Sequence, residues 1–105
     1  MEAGRAFQVA SAQSRLQAAG GGYEIVHESP GLEVGVYVLV APEPDRQQPH
    51  EEDEVYVVLS GSGTLAVDGT EIELHEGEAA FVAAHAEHRF TSYESLSLLV
   101  VFARH

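Results

Sequence analysis

The residues equipped to do chemistry lie in two short segments. One is Gln47-Gln48-Pro49-His50-Glu51-Glu52-Asp53-Glu54, which leads into the apolar run Val55 to Gly61; the other runs from Gly77 to Phe90 and carries His88 near its end. The chain has no cysteine, so neither a disulfide framework nor a thiolate metal site can form, and any metal must be held by imidazole, carboxylate or amide. Spacing limits how the first segment can do this. On an extended strand, residues two apart share a face, which lets Gln48 and His50 point the same way. Residues four apart share a face too, but at roughly 3.3 Å per residue a straight strand would hold His50 and Glu54 about 13 Å apart, too far for one ion. The chain is therefore expected to bend over 51–53, leaving Glu51, Glu52 and Asp53 facing solvent, before Val55 to Leu59 resumes as strand. A helix would also bring His50 and Glu54 together, yet Val55-Tyr56-Val57-Val58 favours extended backbone.

The two segments resemble the two motifs of the cupin family. Motif one runs histidine, any residue, histidine, three or four residues, glutamate, six residues, glycine. Here Glu54 and Gly61 keep that spacing, His50 takes the second histidine position, and Gln48 stands where the first would be. Motif two is matched by Gly77 at its start and His88 at its histidine position. The resemblance covers roughly residues 35–102. It departs from the family pattern at Gln48, at Ala83 in place of a proline, at His85 in place of a glycine and at Ser92 in place of an asparagine. The last three bear on the loop geometry around His88 rather than on the ligand positions.

What the resemblance implies is an all-β fold, a small antiparallel β-barrel of jelly-roll type. That barrel would hold one divalent transition metal ion (Fe, Mn, Zn, Ni or Co) through His50, Glu54 and His88. Gln48 is the expected amide donor to the same ion, with Gln47 as its rival if a bulge beside Pro49 rotates it inward. Two imidazoles and one carboxylate form a facial set that leaves positions open for water or substrate. Tyr56 shares a strand face with Glu54, and Phe90 with His88, so these two, with Tyr37, are expected to line the pocket. Plainer readings stand beside each role: His50 as a surface histidine, Glu54 as one acid among several on a solvated loop, His88 as a half-buried strand residue. The ordered presence of both motifs favours the ligand reading. His27, His75, His85 and His105 read as structural or solvated.

To position these groups the chain offers strands at roughly 23–28, 32–40, 54–59, 63–67, 70–74, 79–82, 87–91 and 96–102, where β-branched and aromatic runs are punctuated by turn residues. Asp68-Gly69 between two alternating strands is a hairpin signal. No helical pattern of crossover length separates the strands, which argues against a parallel α/β sheet. Residues 1–22 read as an N-terminal arm, with a short strand from Ala6 to Ala10 and a helix capped by Ser11 that runs to about Ala19 and stops at Gly20-Gly21-Gly22. Residues 23–105 read as the barrel.

Size and charge bound the rest. A chain of 105 residues is one domain. Seventeen acidic against five basic residues give a formal charge of -12, which disfavours nucleic acid and anionic lipid as partners, while 45% hydrophobic residues in clear runs argue for a folded core. The first twenty residues lack an apolar stretch, so a cytoplasmic protein is expected. The run Leu96 to Phe102, with the arm, is expected to supply a shared sheet edge for a homodimer. The partner otherwise expected is a small organic molecule. For it the resemblance permits dioxygenase, isomerase, lyase or decarboxylase chemistry; the alternatives are a non-catalytic module that binds a metal and a small ligand, and a metal-free structural protein.

Overall fold

A computed structural model describes residues 3–104. Among them the chain forms α1 (Val9–Ala18), β1 (Gly22–Glu28), β2 (Leu32–Val40), β3 (Glu54–Ser60), β4 (Ser62–Val67), β5 (Thr70–His75), β6 (Ala79–Val82), β7 (His88–Tyr93) and β8 (Ser95–Ala103). These strands form a five-stranded sheet in the order β1-β2-β8-β3-β6 and a three-stranded sheet in the order β5-β4-β7, every pairing antiparallel. Along β3 the pleat sends Glu54, Tyr56 and Val58 inward and Val55 outward. Tyr56, Val58, Leu98 and Val100 from the larger sheet meet Leu65, Leu74 and Phe90 from the smaller one in a single core, giving a jelly-roll sandwich.

Turn chemistry holds the strands in register. Asp68 and Gly69 join β4 to β5 with φ of 47° and 84°, the left-handed pair that matches a two-residue hairpin to strand twist. Between β3 and β4, Gly61 has φ 83°, and a Cβ there would collide with the carbonyl oxygen of Ser95. Glycine is required at this place because β8 passes directly against the turn.

The arm differs from expectation. No strand forms over 6–10; the helix starts at Val9, and Ser11 lies inside it. Gln8 occupies the N-cap without a side-chain capping bond, so local chemistry does not set the start. Packing does: Val9, Ala12 and Leu16 lie on the outer face of the larger sheet, where Ala12 is fully buried with Val36 and Val38. The C-terminus follows the glycine rule, with Gly20 at φ 84° and the N–H groups of Gly20 and Gly21 donating to Gln17 O and Leu16 O. Gln13 and Gln17 also donate to Ser60 Oγ and Ser97 Oγ, tying α1 to β3 and β8.

The expected shared edge is also corrected. β8 lies between β2 and β3 and has no free edge; its apolar residues are buried because the strand is central. The edges of the larger sheet are β1 and β6.

Candidate metal centre

Glu54 opens β3 in the larger sheet, His88 opens β7 in the smaller one, and His50 stands on the irregular segment that leads into β3. The three are thus brought together from both sheets at one end of the sandwich. The chain bends at Glu51 and Glu52 and its ladder begins only at Glu54, as the distance argument requires. One nitrogen or oxygen from each of His50, Glu54 and His88 lies within 4.8 Å of the others. Glu54 is 2% and His88 6% exposed.

The hydrogen bonds around these groups set their state. His88 Nδ1 lies 2.9 Å from Ala86 O, so Nδ1 carries a proton and donates it. In the neutral ring this leaves a lone pair on Nε2, directed at Glu54 Oε1 only 2.8 Å away. Two electron pairs face each other there unless a cation or a second proton joins them. His50 Nε2, His88 Nε2 and Glu54 Oε2 are all buried without a hydrogen-bond partner. Orphaned buried polar atoms are costly, and with His88 neutral a cation bound among these three side chains would satisfy them. A backbone carbonyl fixing the far nitrogen of a histidine is also the usual support for a metal-binding imidazole. Burial by itself lowers the His88 pKa, but the bond to Glu54, the Ala86 carbonyl and the charges of Glu54 and Asp45 outweigh it, raising the ring above the ordinary imidazole value. The His50 ring packs edge-on to Phe102 at 4.8 Å and lies 5.3 Å from His88.

Two clamps fix the loop between β6 and β7 against the His50 segment. The His85 N–H donates to His50 O at 2.7 Å, and the Ala84 N–H donates to Asp53 Oδ1 at 2.9 Å. His85, at the position of a family glycine, adopts φ 67°, a conformation glycine favours, and leaves its side chain exposed. Asp53 is half-buried rather than solvent-facing, as is Glu52; only Glu51 is exposed. Asp53→Ala is expected to lose about 1 to 3 kcal/mol in urea unfolding because it leaves the Ala84 N–H without its charged acceptor. Glu51→Gln should change stability by less than about 0.5 kcal/mol.

Gln48, the expected amide donor, lines a second cleft together with His88. Gln48 is exposed, whereas Gln47 is half-buried: its Oε1 accepts from the Tyr56 hydroxyl and its Nε2 donates to Asp45 Oδ2, both at 2.7 Å. Two buried partners, Asp45 and Tyr56, draw Gln47 inward, and the next residue then turns out. Asp45, 4% exposed, is a residue the sequence reading missed. It accepts from the Tyr37 hydroxyl at 2.7 Å, from the Gln47 backbone at 3.2 Å and from the Phe90 N–H at 2.8 Å, besides the Gln47 side chain. Between Pro44 and Arg46 it looks like any loop acid, and no spacing marks it.

Tyr37, Gln47, His50 and Phe102 help line a cleft of about 690 Å³. Tyr56 and Phe90 lie beneath it as core: they are 0% and 2% exposed, their rings 5.1 Å apart, with Tyr56 6.2 Å from His88. Burial above all, then the bond to Asp45, raises the Tyr37 pKa; burial and the charge of Glu54 raise that of Tyr56. Both remain phenols and act as donors. His27 stacks on Phe7 beside Arg5, His75 and His85 are exposed, and His105 lies outside the described residues.

The family model described as a cupin domain matches residues 36–102, a span that holds all three converging side chains. The chain belongs to the cupin family. This cupin is 33% identical over 100 residues to the uncharacterized protein SCO3923 of Streptomyces coelicolor, covering 94% of this chain and 95% of the relative. Among solved structures it is similar to TT1209 from Thermus thermophilus, at 30% identity and a TM-score of 0.73, over 88% of this chain and 93% of that one. KdgF from Halomonas sp. is similar at 23% identity and a TM-score of 0.71, over 82% of each chain, a likeness of fold alone. Among the described residues no helix is long and apolar enough to cross a membrane.

Proposed function

We propose that this cupin holds one divalent transition metal ion on His50, Glu54 and His88 and acts with it on a small organic molecule in the adjoining cleft, as a dioxygenase, isomerase or lyase. The observation that carries this reading is the convergence of His50, from the segment before β3, with Glu54 and His88, one from each sheet, with buried atoms on all three lacking a hydrogen-bond partner. A bound ion would supply Lewis-acid or redox chemistry at its open positions. The chain's own contribution is positioning and dryness. Ala86 O fixes the tautomer of His88, and Val100 and Phe102 give the cleft apolar wall beside His50. Metal analysis after equilibration with zinc, iron, manganese, nickel or cobalt should return one ion per chain; a content well short of one for every metal would sink the proposal.

A second reading, a module that binds metal and ligand without catalysis, has one observation in its favour. The phenols of Tyr37 and Tyr56 are both committed as donors, to Asp45 and Gln47, so neither is free to move a proton. Dioxygen uptake or substrate turnover by the metal-loaded protein separates the two readings.

The proposal includes a homodimer, supported by the outer face of the larger sheet rather than by an edge. Phe81 is 60% exposed and pairs across the ladder with Val55, 36% exposed, which pairs in turn with Val101. An exposed aromatic beside a row of β-branched side chains is the kind of patch that a two-fold copy covers. In sedimentation velocity the protein should run as a dimer and Phe81→Asp as a monomer. A wild-type monomer at micromolar concentration would end this part of the reading.

A further inference from the structure

Asp45 and Gln47 are not among the three converging donors, yet their hydrogen bonds reach every segment that carries one. Asp45 Oδ2 accepts from the Phe90 N–H, two residues beyond His88 on β7. Gln47 Oε1 accepts from the hydroxyl of Tyr56, two residues beyond Glu54 on β3. Gln47 itself lies three residues before His50, and its backbone N–H and side-chain Nε2 both bind Asp45. The remaining Asp45 oxygen takes the Tyr37 hydroxyl from β2. A single carboxylate–amide pair is thus the common reference for the irregular segment and for strands of both sheets, at the end where the donors meet.

The bond from Tyr56 has a further consequence. Tyr56 and Glu54 project from the same inner face of β3, and Tyr56 is fully buried. Its hydroxyl must donate to something, since an unpaired buried O–H is costly. While Gln47 accepts that proton, the Glu54 carboxylate keeps its electron pairs for another partner. Glu54 already lies close enough to act on that hydroxyl, so without Gln47 it is the acceptor left on that face.

We infer that Asp45 and Gln47 form a positioning pair that sets the distances among His50, Glu54 and His88 and keeps the Tyr56 hydroxyl off Glu54. The inference rests on the proposal that these three residues hold a metal ion. It assigns Gln47 to support of the centre rather than to the ion.

The test measures zinc affinity by calorimetry and the visible absorption bands of the cobalt(II)-loaded protein. Asp45→Asn turns one acceptor into an NH2 group facing N–H donors, and Gln47→Ala removes the acceptor of Tyr56. Each should weaken zinc about 10- to 100-fold, the range for loss of a group that orients a ligand, and each should shift the cobalt bands. Gln48→Ala, at an exposed side chain, should change neither. The diagnostic variant is Gln47→Ala with Tyr56→Phe: deleting the stray hydroxyl should recover most of the lost affinity, which a purely structural role for Gln47 would not allow. Leu74→Val, in the core on β5, controls for general destabilisation and should leave the cobalt bands unmoved.

Unchanged affinity and bands in both Asp45→Asn and Gln47→Ala would overturn the inference while the metal proposal stood. Failure of the double variant to recover affinity would overturn the role given to Gln47. If the wild-type protein binds no ion, the metal proposal falls. The positioning role is then read in the metal-free protein from long-range 1H–15N spectra of the His50 and His88 rings. Ring signals displaced by Asp45→Asn uphold it; unchanged signals remove it.

Discussion

His50→Ala will abolish stoichiometric binding of a divalent ion and leave the sandwich folded. His50 is the member of the set that stands outside the ladders, on the segment before β3, and its Nε2 has no hydrogen-bond partner to lose. Its packing contribution is an edge-on contact with Phe102, worth about 0.5 to 1.5 kcal/mol. Removing a ligand outright should cost at least the 10- to 100-fold that follows from disturbing the groups behind a ligand. In a melting experiment the wild-type protein, with free metal at about a thousand times Kd, should gain about 4 kcal/mol of stability, and the variant should gain none. An equal metal-induced gain in His50→Ala would show that the ion lies elsewhere. His88→Ala should lose the metal too, but at a structural cost: it strands the buried Glu54 carboxylate without its imidazole, a loss of about 3 to 5 kcal/mol in the metal-free protein. Comparing the two variants separates ligation from burial of charge.

Gly61→Ala is expected to be among the most damaging single-methyl additions available in this chain. The residue holds φ 83°, which costs a non-glycine residue about 1 to 2 kcal/mol, and the new Cβ would collide with Ser95 O, adding overpacking of about 1 to 3 kcal/mol. Backbone, unlike the end of a flexible side chain, cannot swing aside, so the strain falls on the approach of β8 to the β3–β4 turn. β8 pairs with β3 up to Glu54, so a shift in that register reaches one of the three converging side chains. Urea unfolding should show a loss of about 2 to 5 kcal/mol, and zinc affinity should fall with it. Gly69→Ala, where nothing stands within 4 Å of a new Cβ, has the same handedness problem without the collision and should lose only about 1 to 2 kcal/mol. Equal losses at the two glycines would mean that the contact with Ser95 relaxes freely.

Most of the scaffold could be read from the chain because its signals are local. Apolar, β-branched and aromatic runs such as Val55 to Leu59 and Leu96 to Phe102, punctuated by turn residues such as Asp68-Gly69 and Ser29-Pro30-Gly31, place every strand within two residues at either end. The bend before β3 was legible from strand rise once His50 and Glu54 were read as sharing one ion, which cannot bridge about 13 Å. That His50, Glu54 and His88 could converge was legible because residue type at fixed spacing marks them.

What only the tertiary structure decided concerns relations between distant segments. The helix start at Val9 follows from burying Ala12 against Val36 and Val38, which no capping residue announces. The run Leu96 to Phe102 has the apolar character of an edge or of a centre alike, and only strand order makes it central. Adjacent glutamines at 47 and 48 are chemically identical, so the choice between them belongs to Asp45 and Tyr56, whose positions depend on how the irregular segment crosses both sheets. Asp45 has no signature of its own: a loop carboxylate becomes a buried hub only where Tyr37 and Phe90, eight and forty-five residues away in sequence, bring their donors to it. Local periodicity specifies elements and the chemistry they carry; the partners of a buried polar group are specified by packing, because burial removes water as the alternative partner.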